Sequence, residues 1–405
     1  MKKNNTEFLA KIQFLNLSWL TNIIKFLLLV IDDIYLFFSK KPRKTTGKKN
    51  IIMIANLGLG DLMNFLSVTD KYRHIYPSKK YYITLIVPFG FDKLLYRETS
   101  FDEIICVNFN ECVTNLKKRF RLYKLINKKY YDILIDIMGA TGAAINVYLS
   151  HASFANKKIT IQNKEYSICP NYLLKKSYTD VHVIYNKNIS NVEYYNELVD
   201  YIGGKKTKIK LHKTHDYPNL NSIPDKYYIV FPGASSSFRK WDLDNYVQII
   251  KKIYEKVKMP VLFCGTAVDM DSVQYLINNI EDIPYYNILG KTNMLEFIQV
   301  IKKASFIITN DTGSYHIAVN EEVPVTIITG SYALDMYALY NFLGKEYRNP
   351  YIVNKEKVCK NCFYKCPYVK KGDKVWPCLK EITVDDAWQV IEKMIDNEVN
   401  IDENK

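Results

Sequence analysis

The chain lacks a long apolar run. Its most hydrophobic stretch, residues 12–38, is broken by Asn16, Ser18, Thr21, Asn22, Lys25, Asp32 and Asp33. The longest uninterrupted segment, Phe26 to Ile31, falls far short of the roughly 20 residues that span a bilayer. A secretory signal is also missing. The basic start Met1-Lys2-Lys3-Asn4-Asn5 leads into no small-residue cleavage site. On these grounds no spanning helix is expected, and the protein is expected in a reducing cytoplasm. There, clustered cysteines more often bind metal than form disulfides. Acidic residues are the scarcer charge, 42 against 56 Lys and Arg, for a net charge of +14.

That charge is uneven. Residues 1–49 carry ten Lys/Arg and three Asp/Glu, half of the total excess. Uneven placement favours a local docking segment over a nucleic-acid groove, so nucleic acid is not the expected partner. A helix in residues 12–38 lying in a membrane interface fits the pattern. Trp19, Phe26, Tyr35, Phe37 and Phe38 would enter the headgroup region, with Lys40-Lys41-Pro42-Arg43-Lys44 against anionic lipid. A helix packed on the protein's own surface is the alternative.

With 405 residues, 48% of them hydrophobic, the chain suits two globular units. From residue 50 strands and helices alternate, as in a parallel sheet with helices on both faces. Buried strands are expected at Ile51–Ala55, Tyr82–Val87, Ile104–Val107 and Ile133–Ile137. A second series follows at Tyr227–Phe231, Val261–Cys264, Phe306–Thr309 and Val325–Thr329. The expected organisation is a basic segment at 1–49, a first doubly wound unit at 50–212, a linker at 213–225 containing Pro218 and Pro224, a second unit at 226–355, and a Cys-rich lobe with a final helix at 356–405. Two such units leave a cleft between their sheet ends, where ligands bind in open α/β folds.

Three loops point into that cleft. Asn310-Asp311-Thr312-Gly313-Ser314-Tyr315-His316 reads as strand, tight turn and helix start. Asp311 or Thr312 can cap the helix, Gly313 lets a ligand approach, and the helix N-terminus suits phosphate. The first strand ends in Asn56-Leu57-Gly58-Leu59-Gly60-Asp61. Asp61 is there either a helix cap or a general base. A third glycine is missing, with Asn64 near its place, so this is no dinucleotide fingerprint. Pro232-Gly233-Ala234-Ser235 leads through Arg239-Lys240 to Trp241. Serine hydroxyls, N–H groups and the basic pair can hold phosphate oxygens, but no Walker pattern is present.

Taken in order, these loops resemble glycosyltransferase family nine, the heptosyltransferase-like enzymes of bacterial surface polysaccharide assembly. The resemblance rests on Gly58-Leu59-Gly60-Asp61, on Pro232-Gly233-Ala234-Ser235 with the basic-Trp step, on Gly265 with Asp269, and on Asp311-Thr312-Gly313 with His316, Pro324 and Gly330. It spans about residues 50–330. It implies a GT-B fold, two Rossmann-like domains facing a cleft, and inverting transfer from a nucleotide-sugar donor to a lipid-linked or polysaccharide acceptor without a catalytic cofactor. In that reading Asp61 is the base, and Ser235, Arg239, Lys240, Thr312 and Gly313 hold the diphosphate. Asp269 meets the ribose or base, Asp311 orders its loop and the donor sugar, and His316 contacts the donor or packs the helix. Arg239 stands where the family usually has Lys, and Asp269 where Glu is frequent. A GT-B epimerase and a non-catalytic nucleotide-sugar or nucleic-acid binder are the alternatives.

Cys359-x2-Cys362-x3-Cys366-x11-Cys378 supplies four thiols in 20 residues. Two close pairs in a chain without export features fit a structural Zn2+ knot, with free thiols or a disulfide as alternatives. Cys106 and Cys264 lie in strands and are expected in the core.

Overall fold

A computed structural model describes residues 18–399 except 45, 140–143, 168, 218, 219, 221, 222, 345, 364 and 371. Expectations for residues 1–17, for the side chain of Trp19 and for Pro218 lie outside the described residues.

Among the described residues, twelve strands form two six-stranded sheets, and every pairing is parallel. The first sheet holds β1 (Lys49–Ile54), β2 (Tyr81–Pro88), β3 (Glu103–Val107), β4 (Tyr131–Asp136), β5 (Ala155–Asn163) and β6 (Asp180–Ile184). The second holds β7 (Tyr228–Phe231), β8 (Val261–Phe263), β9 (Tyr285–Asn287), β10 (Ile307–Asn310), β11 (Val325–Ile328) and β12 (Tyr351–Val353). Helices of seven or more residues connect or cover them: α1 (Ser18–Phe38), α2 (Leu59–Ile75), α3 (Leu116–Ile126), α4 (Ala144–Ala152), α5 (Asn171–Ser177), α6 (Asn191–Gly203), α7 (Leu243–Val257), α8 (Met270–Asn279), α9 (Met294–Lys303), α10 (Gly313–Asn320) and α11 (Val384–Glu398).

The orders are β3-β2-β1-β4-β5-β6 and β12-β11-β10-β7-β8-β9. In each sheet the winding reverses beside its first strand, between β1 and β4 and between β7 and β10. A crevice opens at the carboxyl ends of the strands at such a switch point. β1 occupies the middle because Ile51, Ile52, Met53, Ile54 and Ala55 are all fully buried. A strand covered on both faces reads as a continuous apolar run. The same holds for Phe306, Ile307 and Ile308 leading into β10.

The region 156–225, irregular by sequence, contains β5, α5, β6 and α6. Neither strand has an apolar run: β5 begins Ala-Asn-Lys-Lys and β6 reads Asp-Val-His-Val-Ile. β6, β9 and β12 are edge strands, half exposed and therefore without a core signature.

Helix α1 is fastened to the first unit by its inner face. Leu29 and Asp32 are buried. Arg119 of α3 donates from Nε to Asp32 Oδ1 at 3.0 Å, and Tyr123 donates to Oδ2 at 2.9 Å. Tyr35 turns inward and stacks on Phe120 at 4.7 Å. This corrects the expectation that Tyr35 faces lipid: an aromatic partner on α3 claims it. Phe37 and Phe38 point outward, 84% and 82% exposed.

Candidate functional site

The cleft between the two sheets has a volume of about 660 Å³ and is lined from both sides. Gly58, Leu59, Gly60 and Asp61 come from the first unit. The Pro232–Ser235 loop, Arg239, Asp269 and the Asp311–Ser314 turn come from the second. His316 also lines it, whereas Lys240 is not among the lining residues.

The two helix starts meet at the seam. A Cβ placed on Gly60 would lie 2.4 Å from His316 Cδ2 and 3.2 Å from the Gly313 Cα. Glycine is therefore required at position 60 for α2 and α10 to approach this closely. Behind that contact, His316 Nδ1 is 2.7 Å from the Tyr340 hydroxyl, which donates to Asn64 Oδ1 at 2.8 Å. Burial lowers the His316 imidazole to about 4, against a smaller opposing effect of Asp311, so the ring is neutral near pH 7. Ser67 Oγ donates to Asn320 Oδ1 at 3.0 Å, and the same Asn320 donates to the His316 carbonyl at 2.8 Å. His316 thus both borders the cleft and ties the units together.

Neither Asp311 nor Thr312 caps α10 as expected. Thr312 occupies the cap position, but its hydroxyl lies 2.5 Å from Ser314 Oγ and makes no side-chain cap bond. Asp311 is turned away, accepting from Tyr332 O–H at 2.6 Å and facing Arg239 Nη1 at 3.5 Å. The hydroxyl of Thr309 reaches the same Ser314 at 3.0 Å. The N-cap side chain therefore leaves the first turn of α10 uncapped at the cleft, an arrangement of the kind that suits an anion.

Asn310 fixes the opposing loop. Its Nδ2 donates to the Pro232 carbonyl at 2.8 Å, and its Oδ1 accepts from the Trp241 backbone N–H at 3.2 Å. The buried Trp241 indole donates to the Ile382 carbonyl at 2.9 Å, which anchors the far end of the loop. Arg239, on a single 3-10 turn, is thereby held over the Tyr332 and Tyr337 rings at 5.7 and 5.8 Å. Ser235 is exposed on the same loop. Asp269 sits beneath Gly233, where a Cβ would lie 2.1 Å from its Oδ1, and accepts from Thr266 Oγ1 at 3.2 Å.

Asp61 does not cap α2, whose cap position is Gly58. It stands in the first turn and accepts a hydrogen bond from Asn191 Nδ2 at 2.5 Å. Its carboxyl is raised to about 6. Burial is the main cause, the Asn191 bond opposes it, the Asp311 charge adds to it and Arg239 counters it. Asn191 and Tyr332 carry no motif of their own, and Asn310, though it heads the turn motif, is assigned no role there by the sequence. Only the pattern Ser190-x-x-Glu193 marks a helix start next to Asn191.

The four clustered cysteines are free thiols. Cys378 is buried on the turn Pro377–Lys380, with its Sγ 2.6 Å from where a Gly330 Cβ would stand. The other three lie partly exposed, Cys359 on a turn and Cys362 and Cys366 in irregular loop. Burial pushes the Cys378 thiol up, and the neighbouring Cys366 and Cys359 add to it. Among the described residues no three His, Cys, Asp or Glu side chains converge as a metal site.

Residues 119–366 match glycosyltransferase family 9 (heptosyltransferase). The chain belongs to glycosyltransferase family 9. It is a glycosyltransferase built on the GT-B fold, two Rossmann-like units across a cleft. The lipopolysaccharide core heptosyltransferase OpsX of Haemophilus influenzae is 23% identical over 314 residues, covering 74% of this chain and 82% of that protein. A family 9 glycosyltransferase structure from Veillonella parvula superposes with a TM-score of 0.67 at 14% identity, covering 87% of this chain and 99% of that one. The E. coli heptosyltransferase WaaC with ADP gives 0.60 at 15%, covering 85% and 99%. The iron-containing dodecameric glycosyltransferase TibC of enterotoxigenic E. coli gives 0.52 at 15%, covering 88% and 78%.

Proposed function

We propose that this family 9 enzyme transfers heptose from ADP-heptose to a lipopolysaccharide core acceptor with inversion at the anomeric carbon. The observation that supports this reading is the opposition of Asp61 on one lip to Arg239 and the uncapped start of α10 on the other. The acceptor hydroxyl gives its proton to the Asp61 carboxylate as its oxygen attacks C1. The bond from C1 to the diphosphate breaks, and ADP leaves with the electron pair. Charge that develops on the diphosphate is met by Arg239, by the N–H groups of Gly313 and Ser314, and by the Ser235 and Thr312 hydroxyls. Asp269 is assigned to the nucleoside. Asp311, held by Tyr332, keeps Arg239 in place.

We assign the neutralisation of the diphosphate to these protein groups, so transfer proceeds without a catalytic metal. Ligand binding tests the donor. ADP-heptose at a hundredfold excess over its Kd is expected to stabilise the fold by about 2.7 kcal/mol, read as a rise in Tm, and UDP-, GDP- and CDP-sugars should give smaller rises. Turnover should be unchanged in EDTA. No shift with any sugar nucleotide, or activity lost to the chelator and restored by a divalent cation, contradicts this assignment.

On location, no helix among the described residues is long and apolar enough to cross a membrane. We assign the chain to the cytoplasm, peripheral at an anionic membrane face, where a lipid-linked acceptor is presented. The support is α1. Its outer face exposes Ile23, Leu27, Val30, Ile34, Phe37 and Phe38 at helical spacing, and exposed Lys40, Lys41, Arg43 and Lys44 follow. Ile34→Asp with Phe37→Asp is expected to abolish cosedimentation with phosphatidylglycerol vesicles while leaving turnover on a delipidated acceptor intact. Unchanged cosedimentation of the double variant counts against α1 as the docking element.

A further inference from the structure

The carboxylate of Asp61 has two oxygens, and the structure ties down one of them. Oδ1 accepts from Asn191 Nδ2 at 2.5 Å. A carboxylate can only accept, so it is the amide nitrogen of Asn191 that faces it. Asn191 is itself rigidly held. It is the first residue of α6, is only 9% exposed, and is followed by buried Val192, Tyr194 and Tyr195. A reciprocal capping box sets where α6 begins. Glu193 Oε2 accepts from the Ser190 N–H at 3.0 Å, and Ser190 Oγ accepts from the Glu193 N–H at 3.3 Å. Through α6 the first unit thus delivers a neutral, buried donor to the lip of the cleft.

We infer that Asn191 is the positioning residue of Asp61, pinning Oδ1 by its amide so that Oδ2 is turned to the acceptor hydroxyl. The inference rests on the reading of Asp61 as the base. A neutral donor suits that task better than a cation. An amide orients the carboxylate and favours its charged form modestly, whereas a lysine or arginine in the same place would depress its basicity.

The other groups facing Asp61 are few. Arg239 and Asp311 act on it from the second unit with opposite signs. Tyr195 of α6 and Tyr340 of the seam are held protonated by burial. The nearby His316 is neutral. Tyr195 directs its hydroxyl to Met138 Sδ at 3.9 Å, not to the carboxylate. Removal of the Asn191 amide therefore leaves Arg239, among the described residues, to favour the ionised form.

The test is the pH dependence of kcat, followed as ADP release from ADP-heptose with heptose-free lipopolysaccharide as acceptor. It compares wild type with Asn191→Ala, Asn191→Ser, Asn191→Asp and Asp61→Asn. In wild type the acidic limb is expected near 6, where the carboxyl titrates. Asn191→Ala should move it up by about one pH unit, the scale of one charge-assisted hydrogen bond. The donor KM should stay within about twofold. Asn191→Ser, which keeps a hydroxyl donor, should fall between the two. Asn191→Asp should move the limb furthest, because two carboxyls would then share one site. If Asn191→Ala does not fold, the order of the Ser and Asp variants decides. An acidic limb that stays at the wild-type pH in these variants, with Asp61→Asn inactive, overturns the positioning role and leaves the base reading intact. An Asp61→Asn enzyme that keeps full turnover overturns the base reading, and this inference with it.

Discussion

Asp61→Asn is expected to lower kcat by about 10²–10⁴-fold, the usual worth of a positioned general base. Donor binding should change little, because Asp61 lines the cleft from the first unit and the groups assigned to the diphosphate line it from the second. Asparagine keeps the volume and can still meet Asn191, so the fold is preserved while the proton acceptor is lost. The sign of the pH dependence follows from the same group. Its carboxyl is raised to about 6, chiefly by burial, and only the ionised form accepts a proton. Wild-type turnover should fall as the pH drops through 6, and the residual activity of Asp61→Asn should lack that limb. Stopped assays of ADP release across pH, with calorimetric titration of ADP into both proteins, check the two halves separately. Equal kcat in the two proteins is the result this role cannot accommodate.

Arg239→Ala is expected to lower kcat/KM by about 10²–10³-fold, the cost of removing one donor aimed at developing charge. It should also weaken ADP binding, because Arg239 is the cation beside the α10 start and the partner of Asp311. Arg239→Lys should recover only part of the loss. Lysine keeps the charge but not the planar fork that lies over Tyr332 and Tyr337. Thermal unfolding must accompany the kinetics, because truncation also leaves buried Asp311 with Tyr332 as its remaining close partner. Unchanged ADP affinity in a folded Arg239→Ala protein would assign the diphosphate elsewhere in the cleft.

Some of this was readable from the chain and some was not, for reasons visible in particular residues. Ile51–Ala55 and Phe306–Thr309 read as strands because burial on both faces demands an unbroken apolar run. β5 and β6 escape detection because lysine, asparagine and histidine interrupt them. The turns at Gly58–Asp61 and Asp311–Gly313 follow the central strands, so their motifs could be located at the cleft. The partners that give those turns their geometry could not. Asn191 lies 130 positions from Asp61 and meets it only after α6 packs on α2. The direction of a side chain is likewise absent from a motif. Thr312 bonds Ser314 instead of capping, Tyr35 stacks inward, and Lys240 stands outside the cleft beside Arg239.

The most direct test is an NMR analysis of ADP-heptose incubated with the enzyme and heptose-free lipopolysaccharide. Transfer by direct attack opposite the leaving diphosphate predicts one ADP formed for each new glycosidic bond, with the anomeric configuration opposite to that of the donor. Retained configuration, or donor left unconsumed by a protein that binds it, would contradict a single-displacement heptose transfer governed by Asp61.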